Sequence, residues 1–478
     1  MGGLSKKAFQ IQTITENSGQ QRLLLDSGNL LFKREKIADG PNQERLTAEA
    51  IMTVYQKLAY DAVGVGPLDL SGGLDFIRKS SGKEFPWVSA NIIDEKGQPI
   101  FKQWIRKKIS STEIVITALT ARPRNPPEGI KIEKWQTILP ELLTRMKAEK
   151  NDPFIIVLSS LNYEENRKIT EKYPEIHLLI SADQHKGNLS PQLINGCLIT
   201  QTSKQGKYQG LLEINLGKKR EWGADSAKLL ADLQNRKGSL DWQLRRLQKK
   251  IRLTENKEKY KNTLTRISAE KEQLNEQITN LKQVIEKEQA EGIYQDKYKY
   301  RFIGLKKNLP NDTATADLLS KLNQEIRQLH KKSRTSPKTA KTTTIPHNNM
   351  VGFSLCATCH PVQTDFWKTT DHASAYATLV QNEKQLDLEC LPCHLTLNMQ
   401  RTRPGRMVDK RFLYFPEELQ SVGCESCHGA GKQHSQSPEK FKLVRLPSKN
   451  ICLACHTPDH DDNFEYENKL LKVSCPAG

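Results

Sequence analysis

The sequence of 478 residues contains no apolar run of about 18 residues, the length that a helix needs to cross a bilayer. This absence excludes a transmembrane helix within the sequence. Residues 1–7 also lack the apolar stretch that a secretory signal peptide requires. If the protein works outside the cytoplasm, we expect Met1 to be an internal start, with the signal peptide encoded upstream of it.

Aromatic residues are scarce, at 6% of the sequence, and they are not interleaved with basic residues. Lys and Arg number 73 against 55 Asp and Glu, which gives a formal net charge of +18. Such a charge can serve nucleic-acid binding, but no nucleic-acid motif accompanies it, so we predict no nucleic-acid partner. The charge is expected on solvated helix faces, in docking to an acidic surface, or in contact with anionic lipid heads.

Cysteine is also rare, with ten residues, yet eight of them form four copies of Cys-x-x-Cys-His in the last quarter of the chain. These eight are Cys356, Cys359, Cys390, Cys393, Cys424, Cys427, Cys452 and Cys455. The pattern is the attachment signal of c-type haem, in which both thiols join the porphyrin and the following His binds the iron. Of the other two, we expect Cys197 to be a small buried residue, and Cys475 has no assigned role.

Zinc sites and disulfides are the alternatives to haem for paired cysteines. Zinc accepts Cys-x-x-Cys pairs, but it does not need a His directly after every second Cys. Only 11 residues are His, so four such placements by chance are improbable. We therefore predict four covalent haems, whose proximal iron ligands are His360, His394, His428 and His456.

Seven His lie outside the motifs and include candidates for the second iron ligand. His372 and His434 are the first choices, His347 is the third and His460 the fourth; the alternative for each is a solvated loop His. An iron with two imidazoles exchanges electrons, whereas an iron with an open face can bind a small molecule. Because residues 346–478 have few aliphatic runs, we also predict that this segment is disordered without haem.

A family resemblance accompanies these motifs. Val351-Gly352-Phe353, Phe366-Trp367, and the run from Val422 through Cys424-Glu425-Ser426-Cys427-His428 to Gly431 resemble the tetrahaem cytochrome c-554 family, which accepts electrons from hydroxylamine oxidoreductase. The resemblance covers about the last 130 residues. It implies a mostly helical and loop domain in which most irons hold two His and one lacks a strong distal ligand. It also implies distal roles for His372 and His434, and more weakly for His347.

The first half of the chain has a different pattern. Up to residue 217, short apolar strands alternate with helical stretches, which predicts an α/β layered domain. The predicted strands span 22–26, 62–66, 87–91, 113–119, 154–159, 177–181, 197–202 and 210–216, and predicted helices include 48–60 and 135–150.

Several motifs in this half resemble the calcineurin-like metallophosphoesterase domain of periplasmic nucleotidases. They are Leu25-Asp26-Ser27-Gly28-Asn29, the run from Tyr60 to Gly66, Val88-Ser89-Ala90-Asn91 and the run from Gly206 to Gly210. Such enzymes hold two metals that activate a bridging hydroxide.

The ligand set of these enzymes is incomplete in this sequence. Asn29 stands where the bridging Asp belongs, Pro67-Leu68 replace the Asn-His pair, and the Gly-His-x-His position retains only His185. The opening Asp-x-His motif is also missing. We predict a phosphoesterase fold without its chemistry and no second metal site. Asp183 and His185 could still hold one ion weakly, but a polar surface loop is the favoured alternative.

Residues 218–332 form a predicted helical connector with a coiled-coil-like pattern. Gly and Pro almost vanish from 222 to 289, and apolar residues recur at spacings of four and three through two helices interrupted by Lys271. An antiparallel hairpin within one chain and a coiled coil between chains both satisfy this seam; the hairpin is slightly favoured. A short extended piece (298–305) and a helix (313–332) follow, and residues 333–345 are a predicted flexible linker.

Charge divides along these boundaries. Residues 1–221 carry +7, residues 222–345 carry +12 and residues 346–478 carry −1. Haem propionates would make the last region more acidic still.

Three functions follow from these patterns. The preferred one is electron transfer between redox donor and acceptor proteins in the periplasm or at the cell surface, with association at a membrane surface an open option. The alternative is a redox enzyme that acts on a small nitrogen or sulfur compound at an open iron. Phosphoester hydrolysis is the third and is opposed by the lost ligands.

Overall fold

The computed structural model describes residues 3–476, except 19–20, 39, 41, 83, 149–152, 204–205, 217–221, 223–225, 253–257, 292–296, 307, 336–348, 398–409, 458–459 and 462–463. Most of the predicted linker at 333–345 and the candidate ligand His347 therefore lie outside the described residues. Within the described ranges, every helix is too short or too polar to span a bilayer.

The N-terminal region is an α/β structure, as the sequence predicts. Its strands are β1 (Leu25–Asp26), β2 (Ala62–Gly64), β3 (Trp87–Val88), β4 (Ile92–Ile93), β5 (Trp104–Ile109), β6 (Thr112–Leu119), β7 (Lys131–Ile132), β8 (Phe154–Ser159), β9 (Leu178–Ser181), β10 (Leu189–Ile194), β11 (Cys197–Gln201) and β12 (Tyr208–Asn215). Its helices are α1 (Leu4–Ser18), α2 (Gln43–Lys57), α3 (Leu74–Ser81), α4 (Trp135–Ala148) and α5 (Tyr163–Lys172).

A six-stranded sheet lies at the centre of this region, in the order β10-β11-β9-β8-β6-β5. Its four middle strands are parallel, and the two edge strands β5 and β10 run antiparallel to their neighbours. β8 is buried along its whole length, which explains its unbroken apolar sequence. A second, parallel sheet joins β1, β2 and β3.

Asparagine side chains cap the N-termini of two of the helices. Asn42 Oδ1 accepts a hydrogen bond from the amide of Arg45 at the start of α2, and Asn162 Oδ1 accepts one from the amide of Glu165 at the start of α5. Each cap satisfies an amide that has no partner within the helix. The capped helix α2 then buries Ala48, among others, in the hydrophobic core.

The connector begins at a buried tryptophan. Trp222 donates from Nε1 to the carbonyl of His177 at 2.7 Å and packs edge-on against Phe154 and Tyr298. Two long helices follow, α6 (Ser226–Arg252) and α7 (Glu258–Glu291), and then β13 (Lys297–Gly304), which pairs antiparallel with β12.

Helices α6 and α7 pack side by side within one chain. Leu240, Leu244, Ile267, Leu274 and Ile278 are buried between them. Lys271, which interrupts the apolar seam, forms an ion pair with Asp241 at 2.6 Å. This packing corresponds to the intramolecular alternative of the sequence analysis, and pairing between chains stays a prediction.

Helix α8 (Thr313–Thr335) begins at the predicted residue and connects the parts of the molecule. It packs against α1 and α2, and it also contacts a 3₁₀ helix at Lys410–Tyr414 in the last region. The helices of that region are α9 (Phe353–Ala357), α10 (Pro361–Lys368), α11 (Ala375–Gln381), α12 (Leu391–His394), α13 (Cys424–His428), α14 (Lys432–Gln436), α15 (Lys449–Cys452) and α16 (Tyr466–Leu470). We call residues 346–478 the motif module.

Candidate haem-binding site

The Cys-x-x-Cys-His motifs lie on short helices and tight turns. In the first motif, the amide of His360 donates to the carbonyl of Cys356 at 2.9 Å. In the fourth, the amide of His456 donates to the carbonyl of Cys452 at the same distance. This single helical turn holds the first Cys and the His of a motif close together, as a shared porphyrin requires.

Four imidazoles of the module are held through Nδ1. His394 Nδ1 lies 2.6 Å from the carbonyl of Ala375, His428 Nδ1 lies 2.6 Å from that of Val444, and His434 Nδ1 lies 2.8 Å from that of Phe441. A carbonyl oxygen can only accept, so each Nδ1 must carry the proton, which leaves Nε2 as the free nitrogen. This arrangement is typical of imidazoles that bind a metal through Nε2.

The fourth anchored imidazole is His456, whose Nδ1 faces Asp461 Oδ2 at 2.9 Å. A carboxylate in this position makes the imidazole a stronger iron ligand. The ring of Phe464 stacks on His456 with 4.7 Å between ring centres, which limits rotation of the imidazole.

Two pairs of imidazoles face each other across gaps of similar width. The ring centres of His360 and His434 are 6.3 Å apart, and those of His372 and His456 are 6.1 Å apart. Two imidazoles bound to opposite faces of one iron, each by a metal–nitrogen bond of about 2 Å, have ring centres roughly 6 Å apart. Each pair joins one predicted proximal residue with one of the two preferred distal candidates.

The surroundings of His372 favour the neutral form of its imidazole. Burial lowers the pKa of His372, and the neighbouring His456 lowers it further, whereas Asp371 opposes the shift. The lowered pKa favours the neutral imidazole, which is the form that binds iron.

The other two predicted proximal residues, His394 and His428, differ in what lies opposite their imidazoles. Among the described residues, no second imidazole lies opposite His394 or His428 in a ring contact. His347 is outside the described residues, and His460 is exposed near the fourth motif.

The thiols of different motifs also meet. Cys356 of the first motif interacts with Cys424 of the third, and Cys393 of the second interacts with Cys455 of the fourth. Cys427 of the third motif and Cys452 of the fourth are close enough for their charges to interact. The four motifs therefore form a continuous series in the order first, third, fourth, second.

Glu425 is a site residue that sequence reasoning missed. Its buried carboxylate accepts hydrogen bonds from the amides of Val351, Gly352 and Gly431. These bonds join the segment before the first motif to the segment after the third, so they help bring His360 and His434 together. The Glu inside the third motif was visible in the sequence, but its partners Val351 and Gly352 lie 74 and 73 residues away.

The donor chemistry fits the predicted haems. Paired thiols occur in every motif, and four of the imidazoles have a fixed tautomer with Nε2 free. No group of three or more His, Cys, Asp or Glu suited to a separate metal ion occurs in the described part of the chain.

The phosphoesterase motifs of the N-terminal region are occupied by structural hydrogen bonds. Asn29, in a left-handed conformation at φ 59°, accepts through Oδ1 from the amide of Leu68. Asp183 accepts from the amides of Tyr163 and His185. These side chains hold loops in place within the phosphoesterase-like motifs.

Asp69 forms a fully buried polar centre in this region. Its carboxylate accepts from the amides of Asn29, Leu30, Leu31 and Gly66. Burial raises the pKa of Asp69 to about 6, although these backbone amides act in the opposite direction.

Comparisons with known proteins give different relatives for the N-terminal region and for the motif module. Residues 355–429 match the family model described as cytochrome c554 and c-prime. Cytochrome c-554 of Nitrosomonas europaea is 29% identical over 139 residues, which cover 22% of this chain and 56% of that protein.

The trifunctional nucleotide phosphoesterase protein YfkN of Bacillus subtilis is 24% identical over 288 residues, which cover 50% of this chain and 19% of that protein. The crystal structure of calcineurin-like phosphoesterase YfkN from the same organism aligns with a TM-score of 0.45 and 16% identity, over 69% of this chain and 90% of that one. The chain thus spans about half or less of the full length of these two curated relatives.

The predicted resemblances are therefore confirmed. The family match also implies covalently bound haem c with iron. The chain joins a region similar to the calcineurin-like phosphoesterases to a C-terminal segment that matches the cytochrome c554 family.

Proposed function

We propose that this protein transfers electrons between redox partner proteins outside the cytoplasm, and that it does so through four covalently bound haem c groups. The observation that supports this most strongly is the spacing of the two imidazole pairs, 6.3 Å and 6.1 Å between ring centres. Haem iron held by two imidazoles exchanges single electrons with little change in its ligands.

In this proposal, each residue type has a distinct role. Cys356, Cys359, Cys390, Cys393, Cys424, Cys427, Cys452 and Cys455 hold the haems, and His360, His394, His428 and His456 are the proximal ligands. His434 is the distal partner of His360, and His372 is the distal partner of His456. The carbonyls of Ala375, Val444 and Phe441 and the carboxylate of Asp461 orient the imidazoles.

The contacts between thiols of different motifs support electron transfer along the series of motifs, from one end of the module to the other. Because thiols of the first and third, third and fourth, and fourth and second motifs interact, an electron that enters near one end of this series could leave near the other. The physiological donor and acceptor are redox proteins, and the similarity to periplasmic-type relatives supports a location outside the cytoplasm.

The assignment is tested with the full-length protein made in cells equipped for cytochrome maturation. We expect His434→Ala and His372→Ala each to convert one low-spin haem of the oxidised protein to high spin in electron paramagnetic resonance. His185→Ala, in the N-terminal region, is the matched control and should leave the spectrum unchanged. If both module variants keep the wild-type low-spin signal, the pairing is wrong.

A second candidate function is catalysis at an iron with an open face. It is favoured by one observation: no described imidazole lies opposite His394 or His428. The two functions are separated by adding hydroxylamine, nitrite or sulfite to the reduced wild-type protein. Turnover of one of these compounds, together with a high-spin signal in the wild type, would favour the enzyme over the carrier.

The phosphoesterase-like region is proposed to be a scaffold without hydrolytic activity. Asn29 and Asp183 are engaged with backbone amides, and the sequence lacks the other ligands. Robust hydrolysis of a nucleotide by the purified protein in the presence of added Mn²⁺ would overturn this part of the proposal.

A further inference from the structure

One stretch of the motif module is basic and exposed. Residues 432–449, which we call the basic segment, lie between the third and fourth motifs and contain five Lys and Arg against one Glu. The cations are Lys432, Lys440, Lys442, Arg445 and Lys449, and all five are exposed. None of them forms an ion pair with an acid in the described part of the chain.

This basic segment differs from the rest of the module. Residues 346–478 carry a net charge of −1, although the basic segment alone contributes +4, so the remainder carries −5. The propionates of bound haem would lower that figure further. The segment is therefore a local positive area on an otherwise acidic module.

The same segment is bonded directly to two candidate iron ligands. The carbonyl of Phe441 accepts from Nδ1 of His434, and the carbonyl of Val444 accepts from Nδ1 of His428. The amide of Val444 also donates to the carbonyl of His428 at 3.2 Å. A protein that touches the outer side of this segment would lie directly behind two imidazoles.

Apolar side chains lie among the cations. Phe441 and Val444 are each 38% exposed and Leu446 is 66% exposed. An apolar centre with a charged rim is typical of protein interfaces, and charge at the rim mainly speeds association.

The opposite end of the motif series is covered by the chain itself. Around the second motif, Leu391, Pro392 and Leu395 are buried. Gln43 of α2 donates to Asp387, and Lys33 forms an ion pair with Glu389 just before Cys390. This covering makes the second motif less accessible to a partner protein than the basic segment is.

We propose that the basic segment is the docking surface for a redox protein that presents an acidic patch around its own cofactor. This inference rests on the proposed electron-transfer function. A protein is favoured over a lipid surface because the segment holds two iron ligands through its backbone, where contact serves electron exchange. The attraction between opposite charges would steer the partner to the exposed edge of the first and third motifs.

The test uses the full-length protein with haem attached and a plant-type ferredoxin as an acidic electron donor. The variant Lys440→Glu/Lys442→Glu/Arg445→Glu reverses three charges of the segment. The control Lys96→Glu/Lys282→Glu/Lys306→Glu makes the same net change at exposed positions outside the module. Stopped-flow spectroscopy measures the second-order rate of haem reduction at low and high ionic strength.

We expect the segment variant to be reduced by ferredoxin about tenfold more slowly than wild type at low salt, and the difference to shrink as salt screens the charges. The control should stay within about twofold of wild type. Equal rates for wild type and the segment variant, or equal slowing by the control, would overturn the proposal.

Two further measurements keep the outcome clear. Photoreduced lumiflavin, a neutral donor, should reduce wild type and both variants at the same rate; failure with wild type would count against the electron-transfer function itself. The variant Lys440→Gln/Lys442→Gln/Arg445→Gln removes the three charges without reversing them, and it replaces the Glu variant if charge reversal impairs haem attachment. Its rate of reduction by ferredoxin should lie between those of wild type and the Glu variant. Loss of binding to phosphatidylglycerol vesicles with an unchanged ferredoxin rate would assign the segment to lipid and reject the docking proposal.

Discussion

The N-terminal region and the motif module differ in what fills their interiors. In the N-terminal region, central strands such as β8 are buried along their whole length, with Phe154 1% exposed and Val157 fully buried. In the described part of the module, the helices are at most eight residues long, and seven of the nine exposed large hydrophobic side chains described for the chain belong to it. The buried hydrophobic side chains of the first region form three clusters, whereas those of the described part of the module form one, of ten residues that include Leu391 and Phe412; we propose that haem fills the rest of its interior.

The two regions also use polar groups differently. In the N-terminal region, the carboxylates of Asp69 and Asp183 accept hydrogen bonds from backbone amides and so hold loops in place. In the module, His428 and His434 are each held through one nitrogen and keep the other free. A residue type that can bind metal therefore marks a metal site only where its other bonds leave a nitrogen or oxygen available.

The largest expected effect comes from withholding haem. When the protein is made without cytochrome maturation, we expect residues 346–478 to lose their protection from protease and from hydrogen exchange, while the N-terminal region keeps its protection. The reason is that the four proposed macrocycles would supply much of the interior of the module. A compact, protease-resistant module in the colourless protein would show that the two regions are built alike.

A smaller effect is expected at Asp69. An unfolded Asp titrates near 3.8, whereas burial raises the folded pKa of Asp69 to about 6, so folding favours the protonated form between these values. The contribution of Asp69 to stability is therefore greatest below about pH 4, and roughly 3 kcal/mol of it is lost as pH rises through 6.

The measurement is the free energy of unfolding of the N-terminal region in denaturant from pH 4 to pH 7. Asp69→Asn places an amide NH₂ against backbone donors, and we expect it to be less stable than wild type by roughly 1–3 kcal/mol at pH 4.5. The gap should narrow towards pH 7, whereas Asp75→Asn, at an exposed position, should show no such trend. A gap that widens with pH would mean that the four amides outweigh burial.

The smallest effect concerns the joint between the two regions. The buried Gln43 donates to Asp387, accepts from the amide of Leu388, and faces His330 Nε2 at 3.1 Å. Gln43→Ala removes these bonds, and we expect a loss of about 1–2 kcal/mol in the coupling of the regions. In calorimetry, the two unfolding transitions should separate further than in wild type or in the exposed control Gln98→Ala. Unchanged transitions would show that the regions fold independently of this joint.

The sequence predicted those features that depend on neighbours along the chain. The strand at Phe154–Ser159 is found at the predicted residues, and α8 begins at the predicted Thr313. In contrast, α1 was missed, because its β-branched residues have low helix propensity and packing against α8 stabilises it. Strand β5 was missed because its Arg and Lys break the apolar alternation.

The candidate site shows the same limit. The Cys-x-x-Cys-His spacing predicts the proximal residues, since a motif acts within one helical turn. It could not pair His434 with His360, because this pairing depends on Glu425 and on contacts between segments about 70 residues apart. The joint at Gln43 and Asp387 spans 344 residues and left no local signal.

The most direct test of the central claim is the intact mass of the purified full-length protein, made with cytochrome maturation and measured under denaturing conditions. We predict the polypeptide mass plus four haems, with none released by the denaturant. A colourless polypeptide at its bare mass, or one that contains zinc, would contradict the claim that four pairs of thiols attach haem.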